Sequence, residues 1–134
     1  MITSPTSFLS EILEGIGGKE IPPHQLAYFR VRLRNRIHDL VVSEFGRRQK
    51  VKKATKMDLA RRIGREPAQI TRWLSAPSNW TLDTISDLMI AMGTEPALGV
   101  ESLAERVVRD SKRRRNPKRK LSVVKALRTH RPAA

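Results

Sequence analysis

The stretch Lys56 to Leu74, K-M-D-L-A-R-R-I-G-R-E-P-A-Q-I-T-R-W-L, constrains the fold more than any other part of the chain. It reads as two short helices joined by a tight turn at Gly64. A glycine at that point can end the first helix in the left-handed conformation, which strains other residues. Ala60, four residues earlier, is small where the two helices must touch. Leu59, Ile63, Ile70 and Trp73 then point into one shared core at helical spacing. The same stripe gives Trp73 a packing role in place of a stacking one.

A short helix, a glycine turn and a second short helix with this spacing form the pattern of a helix-turn-helix. The stretch resembles the phage-repressor-like (Cro/Xre-type) helix-turn-helix proteins. The likeness continues into T-L-D-T-I-S-D-L-M-I-A-M-G, Thr81 to Gly93, which is similar to the helix that follows the motif in that family. It covers roughly residues 33–95. The resemblance implies an all-α fold: a four- to five-helix lambda-repressor-like domain with an N-terminal helical extension and a basic C-terminal tail. It also implies a dimer on double-stranded DNA, with the second helix of the motif in the major groove.

On that reading, helix 67–75 reads bases. Ala68, Gln69, Thr71 and Arg72 take the groove-facing positions. Gln69 suits the two bonding atoms of an adenine edge and Arg72 those of guanine, while Ala68 and the Thr71 methyl suit thymine methyls. Arg72 could instead bond a phosphate, which positions without specifying sequence. Lys56, Arg61, Arg62 and Arg65 around the motif, and Arg47, Arg48, Lys52 and Lys53 before it, are expected phosphate contacts. The chain departs from the family at Glu66 and Pro67. Glu66 is a poor helix cap, and Pro67 has no hydrogen bond to offer a base.

Charge supports a polyanionic partner. The net charge is +14, from 27 basic and 13 acidic side chains. Residues 111–134 hold ten Lys/Arg and no acid; the first 110 residues, with 17 basic and 13 acidic, carry only +4. The run Lys112, Arg113, Arg114, Arg115, Asn116, Pro117, Lys118, Arg119, Lys120 is seven-ninths basic. It reads as an arm that tracks phosphates or enters the minor groove, with a solubilising tail as the plainer alternative.

Several classes are disfavoured. There is no cysteine, so disulfides and thiolate metal sites are excluded. No apolar run approaches the ~20 residues of a membrane span, and the N-terminus lacks the pattern of a secretory signal. The expected setting is the bacterial cytoplasm, on the nucleoid. His24, His38 and His130 match no metal-ligand spacing, and no nucleophile motif accompanies them, so neither cofactor nor catalysis is expected.

The expected organisation is an extension over 1–23, a DNA-binding domain over 24–98 and a basic tail without fixed structure over 99–134. In the extension, Phe8, Leu9, Ile12, Leu13 and Ile16 form an apolar stripe, closed by Gly15, Gly17 and Gly18. Residues 24–46 read as one long helix, because Leu26, Phe29, Leu33, Ile37, Leu40, Val41 and Phe45 recur every three or four positions. The strand-like alternation of F-R-V-R-L-R-N-R-I is shorter than that period. G-R-R-Q-K-V-K-K-A reads as a basic loop. Thr55 with Asp58 suits a reciprocal cap on the next helix, Thr81 caps the fourth helix, and Trp80 with Ile85 suits a hydrophobic staple. Val100, Leu103, Val107 and Val108 could form a fifth helix, with no order expected beyond Ser111.

The stripes at 8–16 and 26–41 are candidate self-association surfaces. Two other function classes share these features: an antitoxin-like or other regulator that binds a protein partner, and a non-specific architectural DNA-binding protein.

Overall fold

The computed structural model describes residues 12–115. They contain five helices and no strand: α1 (Pro23–Lys52), α2 (Lys56–Ile63), α3 (Pro67–Ser75), α4 (Leu82–Ala91) and α5 (Leu103–Arg115). The chain divides into two compact units. Glu20–Ala97 holds α1 to α4; among the described residues the other comprises 12–19 and 98–115. Of the stripe at 8–16, Phe8 and Leu9 lie outside the described residues; Ile12 is half-buried, and Leu13 and Ile16 are exposed.

In the four-helix unit, α2 packs on both α3 and α4, and α1 touches α3 and α4. Val41, Phe45, Leu59, Ala60, Ile70, Leu88, Met89, Ala91 and Met92 make the buried cluster, with Ile70, Leu88 and Val41 sealed from solvent. Ile63, Trp73, Leu74, Trp80 and Ile85 pack around it. Leu59, Ile63, Ile70 and Trp73 thus meet as their spacing requires, with Ala60 buried at the point of close approach.

The ends of the short helices are set by local chemistry. Thr55 caps α2: its hydroxyl oxygen accepts from the Asp58 N–H at 3.2 Å, and the Asp58 carboxylate accepts from the Thr55 N–H at 2.8 Å. This reciprocal arrangement satisfies two donors that a helix start otherwise leaves free. Gly64 ends α2 at φ 64°, ψ 40°. Pro67 opens α3, where its fixed φ and missing N–H are harmless. The N-cap Glu66 makes no side-chain cap bond. Thr81 accepts from the Thr84 N–H at 3.1 Å and so caps α4.

Two expectations are corrected. The basic segment after Phe45 is not a loop, because α1 continues through Gly46 and Lys52. Glu44 explains this: its carboxylate accepts from Arg47 at 2.8 and 3.0 Å and from Arg48 at 2.9 Å, pairs that straddle Gly46 at helical i,i+3 and i,i+4 spacing. The helix stops at Lys53, which turns left-handed at φ 54° while its N–H returns to Gln49 O. Order also persists beyond Ser111. Helix α5 runs on to Arg115, with Glu105 in its first turn and Lys112, Arg113, Arg114 and Arg115 in its last, the charge polarity that the helix dipole favours. Ser111 fits the helix by donating its hydroxyl to Val107 O at 2.8 Å.

Candidate nucleic-acid interface

Helix α3 is two-faced. Ile70 is buried, and Trp73 and Leu74 are half-buried against the core. On the opposite side Ala68, Thr71 and Arg72 are exposed, and Gln69 is half-buried beside Ile70. Three of the four residues expected to read bases therefore share one open surface, with Gln69 at its margin. The Gln69 N–H is bound to Glu66 O at 2.9 Å, so only its side chain is available to a ligand.

Three contacts fix the attitude of this helix. At its start, the turn after Gly64 is closed by the Arg65 N–H donating to Ala60 O at 2.9 Å. Along its length Ile70 locks into the core. At its end, His38 of α1 donates a ring N–H to Leu74 O at 3.1 Å. The His38 ring also lies 5.6 Å from the Trp80 ring. This bond joins residues 36 positions apart and satisfies a carbonyl that the last turn of α3 would otherwise leave open. His38 is a positioning residue for α3 that no spacing argument could find, because its partner is a backbone oxygen from a distant part of the chain.

The expected phosphate contacts have different surroundings. Arg61 and Arg65 are exposed and make no ion pair among the described residues. Lys56 is half-buried in the first turn of α2. Arg62 is different: its guanidinium donates to Ala91 O at 3.0 Å and closes the C-terminal end of α4. That tie draws it toward a structural role, although its remaining N–H groups stay accessible. Arg47 and Arg48 share Glu44, which offsets much of their positive charge. The Arg47 hydrogen bond, opposed by burial and reinforced by Arg48, holds the Glu44 carboxyl below the usual carboxylate range. Among the described residues Lys52 and Lys53, at the exposed end of α1, have no ion-pair partner. The strongest unpaired charge near the motif is thus at Arg61, Arg65, Lys52 and Lys53.

The capping box adds a local field. Its Asp58 carboxyl is held below the ordinary aspartate value by hydrogen bonds from the Thr55 N–H and hydroxyl. Asp58 is therefore committed to the start of α2.

In the other unit, Lys112, Arg113, Arg114 and Arg115 form the exposed last turn of α5. Lys118, Arg119 and Lys120 lie outside the described residues. Ion pairs from Glu101 to Arg106 at 3.2 Å and Arg109 at 2.7 Å join the start of this segment to its first turns. They leave the basic C-terminal turn of α5 without an acidic partner among the described residues.

Among the described residues no group of three or more His, Asp or Glu side chains is arranged to hold a metal ion. No helix among them is long and apolar enough to cross a membrane. Comparison of the chain with protein-family models, curated proteins and solved structures finds no match.

Proposed function

We propose that the chain is a sequence-specific double-stranded DNA-binding regulator of transcription, a repressor by type, built on a phage-repressor-like helix-turn-helix. In this reading α2 crosses the phosphate backbone and α3 enters the major groove. The observation that carries it is the division of α3. Ile70 is sealed in the core, while Ala68, Thr71 and Arg72 stand together on the open side, on a helix held at both ends by Gly64 and His38. Base recognition needs such rigidity, because bidentate contacts tolerate little displacement.

Arg72 is the main specificity residue in this scheme, through guanine O6 and N7, and Gln69 reads an adjacent adenine from the margin of the surface. Arg61, Arg65, Lys52 and Lys53 supply phosphate contacts and hence the salt-sensitive part of the affinity. Two copies would meet a palindromic site with half-sites about 34–36 Å apart. The working place is the cytoplasm, on the nucleoid.

The test is capture of genomic fragments by the protein under excess competitor DNA, beside a Gln69→Ala/Arg72→Ala variant. Enrichment of a discrete palindromic site that the variant loses is the expected result. Even recovery across the genome, unchanged by the variant, would overturn it in favour of an architectural role.

A further inference from the structure

Between residues 26 and 40, α1 carries an apolar line that the buried core does not use. Leu26, Leu33 and Leu40 recur every seven residues, and all three remain exposed, Leu33 most at 59%. Seven residues are nearly two helical turns, so the three leucines stand in one line, about 21 Å long. Beside Leu33, an open groove of about 430 Å³ runs between α1 and the loop that precedes α4, lined by Arg30, Leu33, Arg34 and Asn79. No acidic residue occurs in the sequence between Glu20 and Asp39, whereas Arg30, Arg32, Arg34 and Arg36 all do. At 100° per residue, Arg30 and Arg34 flank the leucine line on one side and Arg36 on the other. None of these three has an acidic partner among the described residues.

We propose that this face docks an acidic amphipathic helix from a partner protein, with the partner's apolar stripe on Leu26, Leu33 and Leu40 and its carboxylates on Arg30, Arg34 and Arg36. Charge complementarity selects this occupant. A second copy of this chain would bring the same arginines and, between Glu20 and Asp39, no carboxylate to the seam in either orientation, which costs specificity and affinity. A nucleic-acid backbone would satisfy the arginines but leave the leucines in water, since its contacts are polar. A helix with leucines on one stripe and carboxylates beside it satisfies both sets of groups, and about four turns span the line. The inference is independent of the proposed role of α3.

The experiment uses the full chain and a synthetic helical peptide with leucines at seven-residue spacing flanked by glutamates. A second peptide carries lysine at every glutamate. Binding is read by fluorescence anisotropy, and folding of each variant by its thermal melt. The acidic peptide is expected to bind at least tenfold tighter than the basic one. Leu33→Asp should weaken it at least tenfold with an unchanged melt and unchanged affinity for duplex DNA. Arg30→Glu/Arg34→Glu should invert the preference between the peptides. Equal binding of the two peptides, or indifference to Leu33→Asp, overturns the proposal. So does a sedimenting dimer of the free chain that Leu33→Asp converts to monomer, which assigns the face to a second copy. Loss of duplex binding in Arg30→Glu/Arg34→Glu without any peptide preference assigns it to nucleic acid.

Discussion

Arg61 and Arg62 are neighbours in sequence with the same side chain, yet their surroundings give them different work. Arg62 closes the end of α4 through Ala91 O, whereas Arg61 is exposed and forms no ion pair among the described residues. Arg62→Ala leaves that carbonyl to water and is expected to lower stability by about 1 kcal/mol, the net worth of a typical hydrogen bond. Arg61→Ala should leave the urea midpoint unchanged and weaken duplex binding about equally for matched and scrambled sequences, as loss of a phosphate contact does. Equal melts for the two variants would refute the distinction. Asp58 gives a second prediction at this scale. Its folded pKa is depressed, so the ionised form favours the fold. Its stabilisation is complete above the unfolded aspartate value of about 3.9 and is lost as pH falls through the lower folded value. Asp58→Asn should therefore flatten the acid limb of the stability curve below about pH 4, measured as urea midpoints from pH 2 to 7. An unaltered slope there would mean that the carboxylate's bonds to Thr55 do not survive in solution.

At the scale of elements, two glycines with opposite roles make a paired prediction. Gly46 sits inside α1 with open space where a Cβ would stand, and its φ is not positive. Gly46→Ala should stabilise by about 0.5–1 kcal/mol, from lower backbone entropy in the unfolded chain and better helix propensity. Gly64 also has open space, but its φ is +64°. Gly64→Ala should destabilise by about 1 kcal/mol through left-handed strain alone. Thermal melts of the two variants should shift in opposite directions. The same pair shows what the sequence could reveal about elements. The turn at Gly64 was legible because Ala60 and Ile70 flank it at fixed distances, and the caps at Thr55 and Thr81 because their partners lie three residues away. Gly46 misled because glycine is a common helix stop, and its rescue comes from Glu44 holding Arg47 and Arg48 across it. The bonds from His38 to Leu74 O and from Arg62 to Ala91 O were invisible, since a side chain's distant backbone partner leaves no local pattern. The outer face of α3 was legible as a surface because it lies opposite Ile70. Its chemistry rests on the proposed function.

At the scale of the molecule, charge is divided between two units with different expected duties. The unit that holds α3 also carries the exposed cations Arg61, Arg65, Lys52 and Lys53. The other carries an unpaired cationic turn, Lys112, Arg113, Arg114 and Arg115, with further basic residues beyond it. On the proposed function the first set acts where bases are read, so its loss should lower affinity without changing which sequence wins. The second is far along the chain from α3 and adds affinity wherever phosphates lie. Replacing Lys112, Arg113, Arg114 and Arg115 by glutamine removes four cations. If all four neutralise duplex phosphates, the log–log salt slope of binding should become shallower by about 3.6, at roughly 0.9 per phosphate. The ratio of affinities for the captured site and its scrambled version should stay the same, because phosphate contacts carry no sequence information. The measurement is a titration of both duplexes between 50 and 300 mM salt, on the wild type and the glutamine variant. A fall in that ratio with an unchanged slope would move sequence reading out of α3 and into the basic turn of α5. An unchanged slope with an unchanged ratio would leave that turn as a solubilising feature, and the first unit alone would have to supply the phosphate contacts.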